Sequence, residues 1–371
     1  MKLRKAKKAL FNLDKPLFAI VLAWILFGFL IFTSASLGLS AKSTALLSSV
    51  LLKQSITLVI SFVVMLLVAR SKFQSLIKIS PYLYAFGILF TLLTFVPGLA
   101  FSSGGAHRWI NVAGYSVQPA EFMKFTTILF AVYIFIKYKK QIPSVKSLLL
   151  PAAVLLPPAL VLLAQPDTST VLVMSFGVGL MYFLFGAPYK NLLIAVFAVV
   201  LALLVLVTVH PYVKKRIMTF INPTQDKLGA GYQINQSLIA IGSGGVFGKG
   251  FGQGVQKFGY LPEPAGDSIF ATLAEEFGLF GALVFIVILS LFVLRALKLA
   301  LLSRTLAASS VIITLAFTIF IQAFINMAAM TGIMPLTGLT LPLVSLGGSS
   351  VLSTLMAIGV IFSAARGVKL S

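Results

Sequence analysis

Acidic side chains are the residues best able to do chemistry in this chain. It has eight Asp and Glu residues, and seven of them lie beyond the first apolar stretch. An ionisable group within or beside a membrane segment is costly, which makes each of them a functional candidate. Asp267 stands where a glycine-rich segment meets a long apolar one. Its carboxylate could act as a general base, hold a cation or cap the helix that begins there.

Other charged residues occur in pairs or at sharp boundaries. Glu121 and Lys124 are three residues apart, so on a helix they share one face and form either a structural ion pair or the wall of a polar cavity. Asp167 precedes an apolar segment, which is typical of an N-cap but also of a surface carboxylate. Arg108-Trp109 fits interfacial anchoring by Trp or phosphate contact by Arg.

Several familiar sites are excluded. The glycine-rich segment lacks the G-x-G-x-x-G spacing, and Gly248-Lys249-Gly250 lacks the Ser or Thr of a phosphate-binding loop. The two histidines, His107 and His210, are far apart, which argues against a histidine zinc site. Cysteine is absent, so disulfides, thiolate catalysis and cysteine metal sites are excluded.

Long apolar segments must position these residues. Of the 371 residues, 59% are hydrophobic and 10% are charged, whereas soluble domains carry about 25% charged residues. The mean hydropathy is +1.05. We therefore predict an all-α, polytopic membrane protein, with residues 1–371 as a single integral membrane domain of ten transmembrane helices. The predicted spans are 17–34, 46–68, 81–96, 117–136, 148–164, 168–186, 190–209, 268–294, 307–330 and 340–364.

The distribution of basic residues predicts the orientation. The formal net charge is +21, and 19 of the 29 Lys and Arg residues fall on one set of alternate loops. Basic residues gather in cytoplasmic loops and near anionic lipids, so we expect membrane lipids rather than nucleic acid as the partner of this charge. Both termini are then cytoplasmic, and the long loop 210–267 is extracytoplasmic. Within it, Tyr232 to Ile241 is predicted to form an interfacial amphipathic helix.

These features together predict a cavity that opens outward, carries carboxylates and is flanked by cations able to bind a phosphorylated substrate. A membrane-embedded substrate with an anionic headgroup fits such a cavity. Two classes of protein remain open at this point. One is a transferase that uses a lipid-linked donor, and the other is a transporter that moves such a lipid.

Several motifs occur in an order that resembles a known family from about residue 17 onward. They are Gly105-Ala-His-Arg108-Trp109-Ile, Gln118-Pro119-Ala-Glu121-Phe-Met-Lys124, Gln165-Pro-Asp167, Gly231-Tyr232-Gln233-Ile-Asn-Gln236, Gly248-Lys-Gly-Phe-Gly, Leu261-Pro-Glu263 to Asp267, Ala274-Glu275-Glu276 and Gly338-Leu-Thr-Leu-Pro342 to Ser350. They resemble the SEDS family of shape, elongation, division and sporulation proteins. Thr33 to Ser36 and Gly338 to Pro342 look more like the division-type members. Ala265-Gly266, Thr168 to Thr170, Thr337 and Leu346 depart from the family pattern.

The resemblance implies a peptidoglycan glycosyltransferase with ten transmembrane helices that polymerises lipid II at the outer face of the bacterial cytoplasmic membrane. It also implies a class B penicillin-binding protein as the transpeptidase partner, with other division or elongation proteins. Asp267 matches the family's catalytic carboxylate and would take the proton from the attacking 4-hydroxyl of the acceptor sugar. A lipid II flippase without glycosyl transfer is the alternative.

The resemblance and the charges also suggest the residues that hold the substrate. The leaving pyrophosphate needs positive charge, which Arg108, Lys249, Lys257 or a divalent cation such as Mg²⁺ or Mn²⁺ would supply. No metal ligand is assigned. The candidate substrate-binding residues are Arg108, Glu121, Lys124, Asp167, Gln233, Lys249, Lys257 and Glu263.

Overall fold

The structure is a bundle of apolar helices, known here from a computed structural model that describes residues 13–41, 43–103, 106–112, 115–209, 211–223 and 229–366. Within these ranges, ten helices occupy the ten predicted spans. They are α1 (Lys15–Ser36), α2 (Thr44–Arg70), α3 (Phe73–Leu92), α4 (Pro119–Lys137), α5 (Leu149–Ala164), α6 (Thr168–Leu184), α7 (Tyr189–Val209), α10 (Ile269–Leu301), α11 (Leu306–Met330) and α12 (Gly348–Ala365).

The predicted fold class is confirmed, because the helices are apolar over membrane length. Nine of those described are long and apolar enough to span a bilayer, and α6 is shorter at 17 residues. Helix α12 packs along α2, and α10 packs against α1 and α11. In the core, the Trp24 ring of α1 lies edge-on against Phe285 and Phe292 of α10, at centroid distances of 6.3 and 5.4 Å.

Two predicted helix starts are wrong. Helix α3 begins at Phe73 rather than at 81 and contains Pro81. Proline leaves the carbonyl four residues earlier without its helical donor, and the Ser80 hydroxyl donates to that carbonyl, of Ile77, at 2.7 Å. Helix α12 begins at Gly348 rather than at 340, because residues 340–347 form an irregular loop in which Leu343 has φ +61°.

The predicted span 268–294 is confirmed as a span, but α10 breaks at Gly278, where φ is +65° and ψ is −162°. A Cβ at this position would lie 2.4 Å from the backbone nitrogen of Gly248, so only glycine fits. The backbone groups beside the break bond to the segment 245–250. The four hydrogen bonds run from the N–H of Leu279 to Gly245, of Phe280 to Val246, of Lys249 to Glu275 and of Gly250 to Glu276.

The connections carry structure of their own. Residues between α3 and α4 form an antiparallel sheet of β1 (Ala100–Ser103), β2 (Ala106–Val112) and β3 (Tyr115–Val117), which the sequence analysis did not predict. The long loop before α10 contains two helices, α8 (Pro211–Ile221) and α9 (Ala230–Gly244). Helix α9 includes the predicted helix Tyr232 to Ile241, whereas α8 was not predicted.

Two polar clusters tie α1 to α10 at opposite ends of the bundle. At one end Arg295 pairs with Asp14 at 2.5 Å. At the other, Lys257 pairs with Glu276 at 2.5 Å, and the Ser34 hydroxyl donates to the same carboxylate. The 20 residues from Asp14 to Ser34 correspond to about 30 Å of helix. That distance is close to the thickness of a bilayer's hydrocarbon core, so the two clusters stand about one hydrocarbon thickness apart.

Candidate active site

A polar cavity of about 540 Å³ opens at the end of the bundle where α10 begins. Its walls come from α2, strands β2 and β3, helix α8, the loops 263–267 and 338–347, and the start of α12. Among the described residues, five charged side chains line it, namely Lys53, Arg108, Arg216, Glu263 and Asp267. The cavity therefore combines two carboxylates with three cations.

Asp267 is the partly buried carboxylate of this cavity. It precedes the helix start, because Ser268 occupies the N-cap position of α10 and no side chain bonds to the helix end. The interpretation of Asp267 as a helix cap is therefore wrong. Burial, together with the negative charge of Glu263, raises the pKa of Asp267 to about 6, against the opposing influence of Arg216 and Arg108.

Hydrogen bonds fix the backbone around Asp267 to the loop on the other side of the cavity. The amide nitrogen of Asn326 donates to the Asp267 carbonyl at 2.9 Å and to the Leu339 carbonyl at 2.7 Å. The Ser345 hydroxyl donates to the Gly266 carbonyl at 2.9 Å. These contacts hold the carboxylate at one place in the cavity wall. Asn326 was not among the predicted site residues, because its role depends on two loops that meet only in the folded chain.

Gln233 and Glu263 take different positions near this loop. The Gln233 amide donates to the Ser268 hydroxyl at 2.9 Å, so it supports the start of α10 and does not line the cavity. Glu263 lines the cavity and is exposed. Its backbone has φ +47°, and its carbonyl accepts hydrogen bonds from the N–H groups of Gly266 and Ser268, which makes a tight turn before the catalytic candidate.

Two arginines meet at the ring of Tyr212 on α8. The buried Arg108 donates to the carbonyls of Gln165, at 3.1 Å, and Pro166. Its guanidinium also donates to the Tyr212 hydroxyl at 3.3 Å. Arg216 lies over the same ring, 4.5 Å from its centroid, and donates to the Thr337 carbonyl at 3.1 Å. The spacing of four between 212 and 216 on a helix that starts at a proline could have indicated Arg216, which the sequence analysis missed.

Asp167 does not line the cavity. Its carboxylate accepts the Thr170 N–H at 3.2 Å and the Thr170 hydroxyl at 2.9 Å, so it is the N-cap of α6. The capping interpretation is confirmed. This position gives no support for a direct contact of Asp167 with substrate, because Asp167 does not line the cavity and both of its oxygens bond to Thr170.

The predicted ion pair of Glu121 and Lys124 is confirmed, with the ammonium 3.0 Å from the carboxylate and both side chains buried. The pair lies behind the cavity wall rather than in it. Lys124 also donates to Gln322 at 2.5 Å, and Gln322 donates to the Thr340 carbonyl at 3.0 Å. Thr340 lines the cavity, so the pair supports the wall from inside the bundle.

Lys249 and Lys257 also lie outside the cavity, which corrects their expected place beside a pyrophosphate. Lys249 pairs with Glu275 at 2.7 Å, and Lys257 pairs with Glu276 at 2.5 Å. Both carboxylates are buried, and a buried charge requires a partner. These lysines therefore neutralise the two buried carboxylates on the short helix before Gly278.

The chain matches the family model described as cell cycle protein, of the FtsW, RodA and SpoVE type, over residues 14–370. The chain belongs to this family. Stage V sporulation protein E of Bacillus subtilis (strain 168) is 39% identical over 276 residues, covering 74% of this chain and 75% of that protein. The probable peptidoglycan glycosyltransferase FtsW of Idiomarina loihiensis is 37% identical over 361 residues, covering 96% of this chain and 87% of the relative.

Solved structures agree with the family assignment. A chain from a study of how a peptidoglycan synthase complex coordinates polymerization and crosslinking has a TM-score of 0.80 and 28% identity. The match covers 97% of this chain and 99% of that one. The rod shape determining protein RodA of Thermus thermophilus has a TM-score of 0.68 and 26% identity, over 97% of this chain and 98% of RodA. Each superposition covers nearly the whole SEDS fold.

Proposed function

We propose that this member of the SEDS family is a peptidoglycan glycosyltransferase that polymerises lipid II. The observation that carries the proposal is the cavity itself, where Asp267 and Glu263 share one space with Lys53, Arg108 and Arg216. The cavity lies at a boundary of the hydrocarbon core, where a lipid-linked pyrophosphate would sit. The relatives named as probable peptidoglycan glycosyltransferases support the same activity.

The cavity faces outward, and both termini are cytoplasmic. The support is the charge distribution, because 19 of 29 basic residues fall on the set of alternate connections that the sequence predicts to be cytoplasmic. The host membrane is the bacterial cytoplasmic membrane, where the headgroup of lipid II reaches the outer surface. This orientation places Asp267 on the side where glycan is made.

In the reaction, the 4-hydroxyl of the acceptor sugar attacks the anomeric carbon of the donor, and undecaprenyl pyrophosphate leaves. Asp267 takes the hydroxyl proton as the new bond forms, which is worth typically 10²–10⁴-fold in rate. A base with a pKa of about 6 is mostly ionised at neutral pH and still accepts a proton readily. Arg108, Arg216 and Lys53 offset the charge that develops on the pyrophosphate.

A divalent cation such as Mg²⁺ or Mn²⁺ fits this cavity as a companion of the substrate. Mg²⁺ is commonly held by one or two carboxylates together with substrate phosphates, and Asp267 and Glu263 provide two. The part of the chain that the structure describes forms no group of three or more His, Cys, Asp or Glu able to hold a metal. A bound cation would add positive charge beside the leaving group.

The partner is a class B penicillin-binding protein, and the cellular role is in division. The structural similarity to a chain of a peptidoglycan synthase complex supports the first part. The FtsW relatives support the second, together with the division-type motifs at the end of α1 and after Gly338.

The decisive experiment is polymerisation of lipid II by the purified protein with its transpeptidase in vesicles. Asp267→Asn keeps the size of the side chain and should lower the rate by two or more orders of magnitude. Glu263→Gln and Asp167→Asn, which also replace a carboxylate by its amide, are assayed in parallel. Melting temperatures show whether each variant is folded. A rate near that of the parent for Asp267→Asn, with a large loss in Glu263→Gln, would move the base to Glu263. Transport of lipid II without polymer would indicate the flippase.

A further inference from the structure

A glycine-rich hairpin after α9 exposes apolar side chains that no described element covers. Residues 245–255 run along the break in α10 and turn back towards Lys257. Phe247 is 83% exposed, Val246 58%, Val255 52% and Phe251 48%. Exposed apolar groups this close together mark a surface that contacts something other than water.

The hairpin lies at the level of a membrane boundary. The Gly252 N–H donates to the Ser34 hydroxyl at 3.1 Å and to Glu276 at 3.2 Å. These residues belong to the cluster that stands one hydrocarbon thickness from the Asp14–Arg295 pair along α1. From Leu279, where α10 continues after its break, to Arg295 the helix rises about 24 Å. The two helices give comparable heights, so the hairpin sits near the level where acyl chains meet headgroups.

The apolar surface of the hairpin continues onto the membrane-facing side of α10. The hairpin bonds through the carbonyls of Gly245 and Val246 to the first residues after Gly278, which are Leu279 and Phe280. Those two side chains are 56% and 62% exposed, as expected for the lipid-facing start of a span. The patch is therefore an edge of the lipid-facing surface rather than an isolated patch in water.

Several polar groups of the hairpin are paired within the protein, which lowers the cost of contact with lipid. Lys249 pairs with Glu275, whose carboxylate also accepts the Val255 N–H at 2.9 Å. The N–H groups of Lys249 and Gly250 donate to carbonyls of α10. Unpaired backbone groups are excluded from hydrocarbon, and these are satisfied within the protein.

We propose that Val246, Phe247 and Phe251 insert into the outer leaflet of the bilayer, at the boundary between headgroups and acyl chains. The occupant of this surface is lipid rather than a protein partner. The hairpin thereby anchors the short helix Ile269–Phe277, whose first turn follows Asp267, at a fixed height in the membrane. This role is independent of the reaction assigned to the cavity.

The absence of cysteine allows a direct test with single-cysteine variants in the full-length protein. Phe247→Cys carries a spin label in vesicles of phosphatidylethanolamine and phosphatidylglycerol, and its accessibility to oxygen and to a water-soluble nickel complex is measured. Val287→Cys, on the exposed face of α10 midway between the two clusters, is the lipid control. Lys139→Cys, exposed at the other end, is the aqueous control.

We expect the oxygen-to-nickel accessibility ratio at Phe247→Cys to exceed that at Lys139→Cys clearly and to approach that at Val287→Cys. A ratio equal to that of Lys139→Cys would overturn the proposal. The proposal would also be overturned by a label that is accessible to the nickel complex in vesicles without the transpeptidase and is protected only when the transpeptidase is added. That result would show that the surface binds protein. The readout does not depend on polymerisation, so it stands apart from the test of the catalytic assignment.

Discussion

The acidity of Asp267 depends on the charges that share its cavity. Its pKa is raised to about 6, first by burial and then by the charge of Glu263, while Arg216 and Arg108 act in the opposite direction. A general base works only when ionised, so protonation in mildly acidic solution removes the active form. With Asp267 as the proposed base, its neighbours would set the pH range of the polymerisation reaction.

We expect the polymerisation rate of the parent protein to fall as the pH drops through about 6. Glu263→Gln removes a negative charge that favours the protonated form, so it lowers the pKa of Asp267 and moves the acid limb to lower pH. Arg216→Gln removes a positive charge that favours the ionised form and moves the limb to higher pH. Rates of lipid II polymerisation across the acidic to neutral range measure both shifts. Shifts in the same direction for the two variants would contradict this assignment.

The ion pair of Glu121 and Lys124 is a second case where one residue depends on another. Lys124→Met leaves the buried Glu121 without its counter-charge, which costs about 3–5 kcal/mol. Thermal unfolding in detergent should therefore show a large loss of stability, whereas Lys139→Met, at an exposed position, should show little. Adding Glu121→Gln to Lys124→Met should recover part of the loss. Equal stability of Lys124→Met and Lys139→Met would count against a buried pair.

At the scale of elements, helix α11 joins the two loops that form one wall of the cavity. Asn326 donates to the carbonyls of Asp267 and Leu339, and both contacts depend on the same amide nitrogen. Its loss removes the link of both loops to α11 without changing any charged group, and the direct bond of Ser345 to Gly266 remains. Asn326 is thus a positioning residue for Asp267.

Asn326→Ala should lower kcat for polymerisation by about tenfold or more, because the backbone of Asp267, the proposed base, loses its bond to α11. Asn191→Ala is the matched control, since Asn191 is equally buried and donates to the Ser144 carbonyl and the Tyr182 hydroxyl, both at 3.0 Å, near the other end of the bundle. Both variants should lose similar thermal stability, and only the first should lose kcat. Equal kcat for the two variants would remove Asn326 from the positioning role.

The helices could be predicted from sequence because hydropathy alone determines a membrane span, and each predicted segment contains a helix. The break at Gly278 could not, since Gly278 lies within an apolar run and its backbone is set by Gly245 and Val246, more than thirty residues earlier. Arg216 was overlooked for a related reason. It reaches the cavity only because α8 forms within a loop that composition describes as irregular.

At the scale of the whole molecule, the cavity joins five separate parts of the chain. Sequence motifs identified Arg108, Glu263 and Asp267, which do line it. The same motifs also included Glu121, Asp167 and Lys249, which support helices instead. A motif marks residues that the fold needs in place, and packing decides which of them reach the substrate.

The orientation of the molecule can be tested with the same cysteine-free background. We expect Lys139→Cys and Lys214→Cys, both exposed, to lie on opposite sides of the membrane. In intact cells or sealed vesicles of known sidedness, a membrane-impermeant maleimide should react with Lys214→Cys from outside and with Lys139→Cys only after permeabilisation. Reaction of both from the same side would contradict the proposed topology.

The polar clusters at the two ends of α1 and α10 also make the protein sensitive to hydrophobic mismatch. Their separation is fixed by two helices packed on each other, whereas bilayers differ in thickness by several ångströms. The pyrophosphate of a polyprenyl substrate follows the headgroups of the membrane, but Asp267 follows the protein. In the proposed mechanism, a thinner or thicker bilayer would displace the scissile bond relative to Asp267, and acyl-chain composition would then tune the rate of glycan synthesis without any ligand.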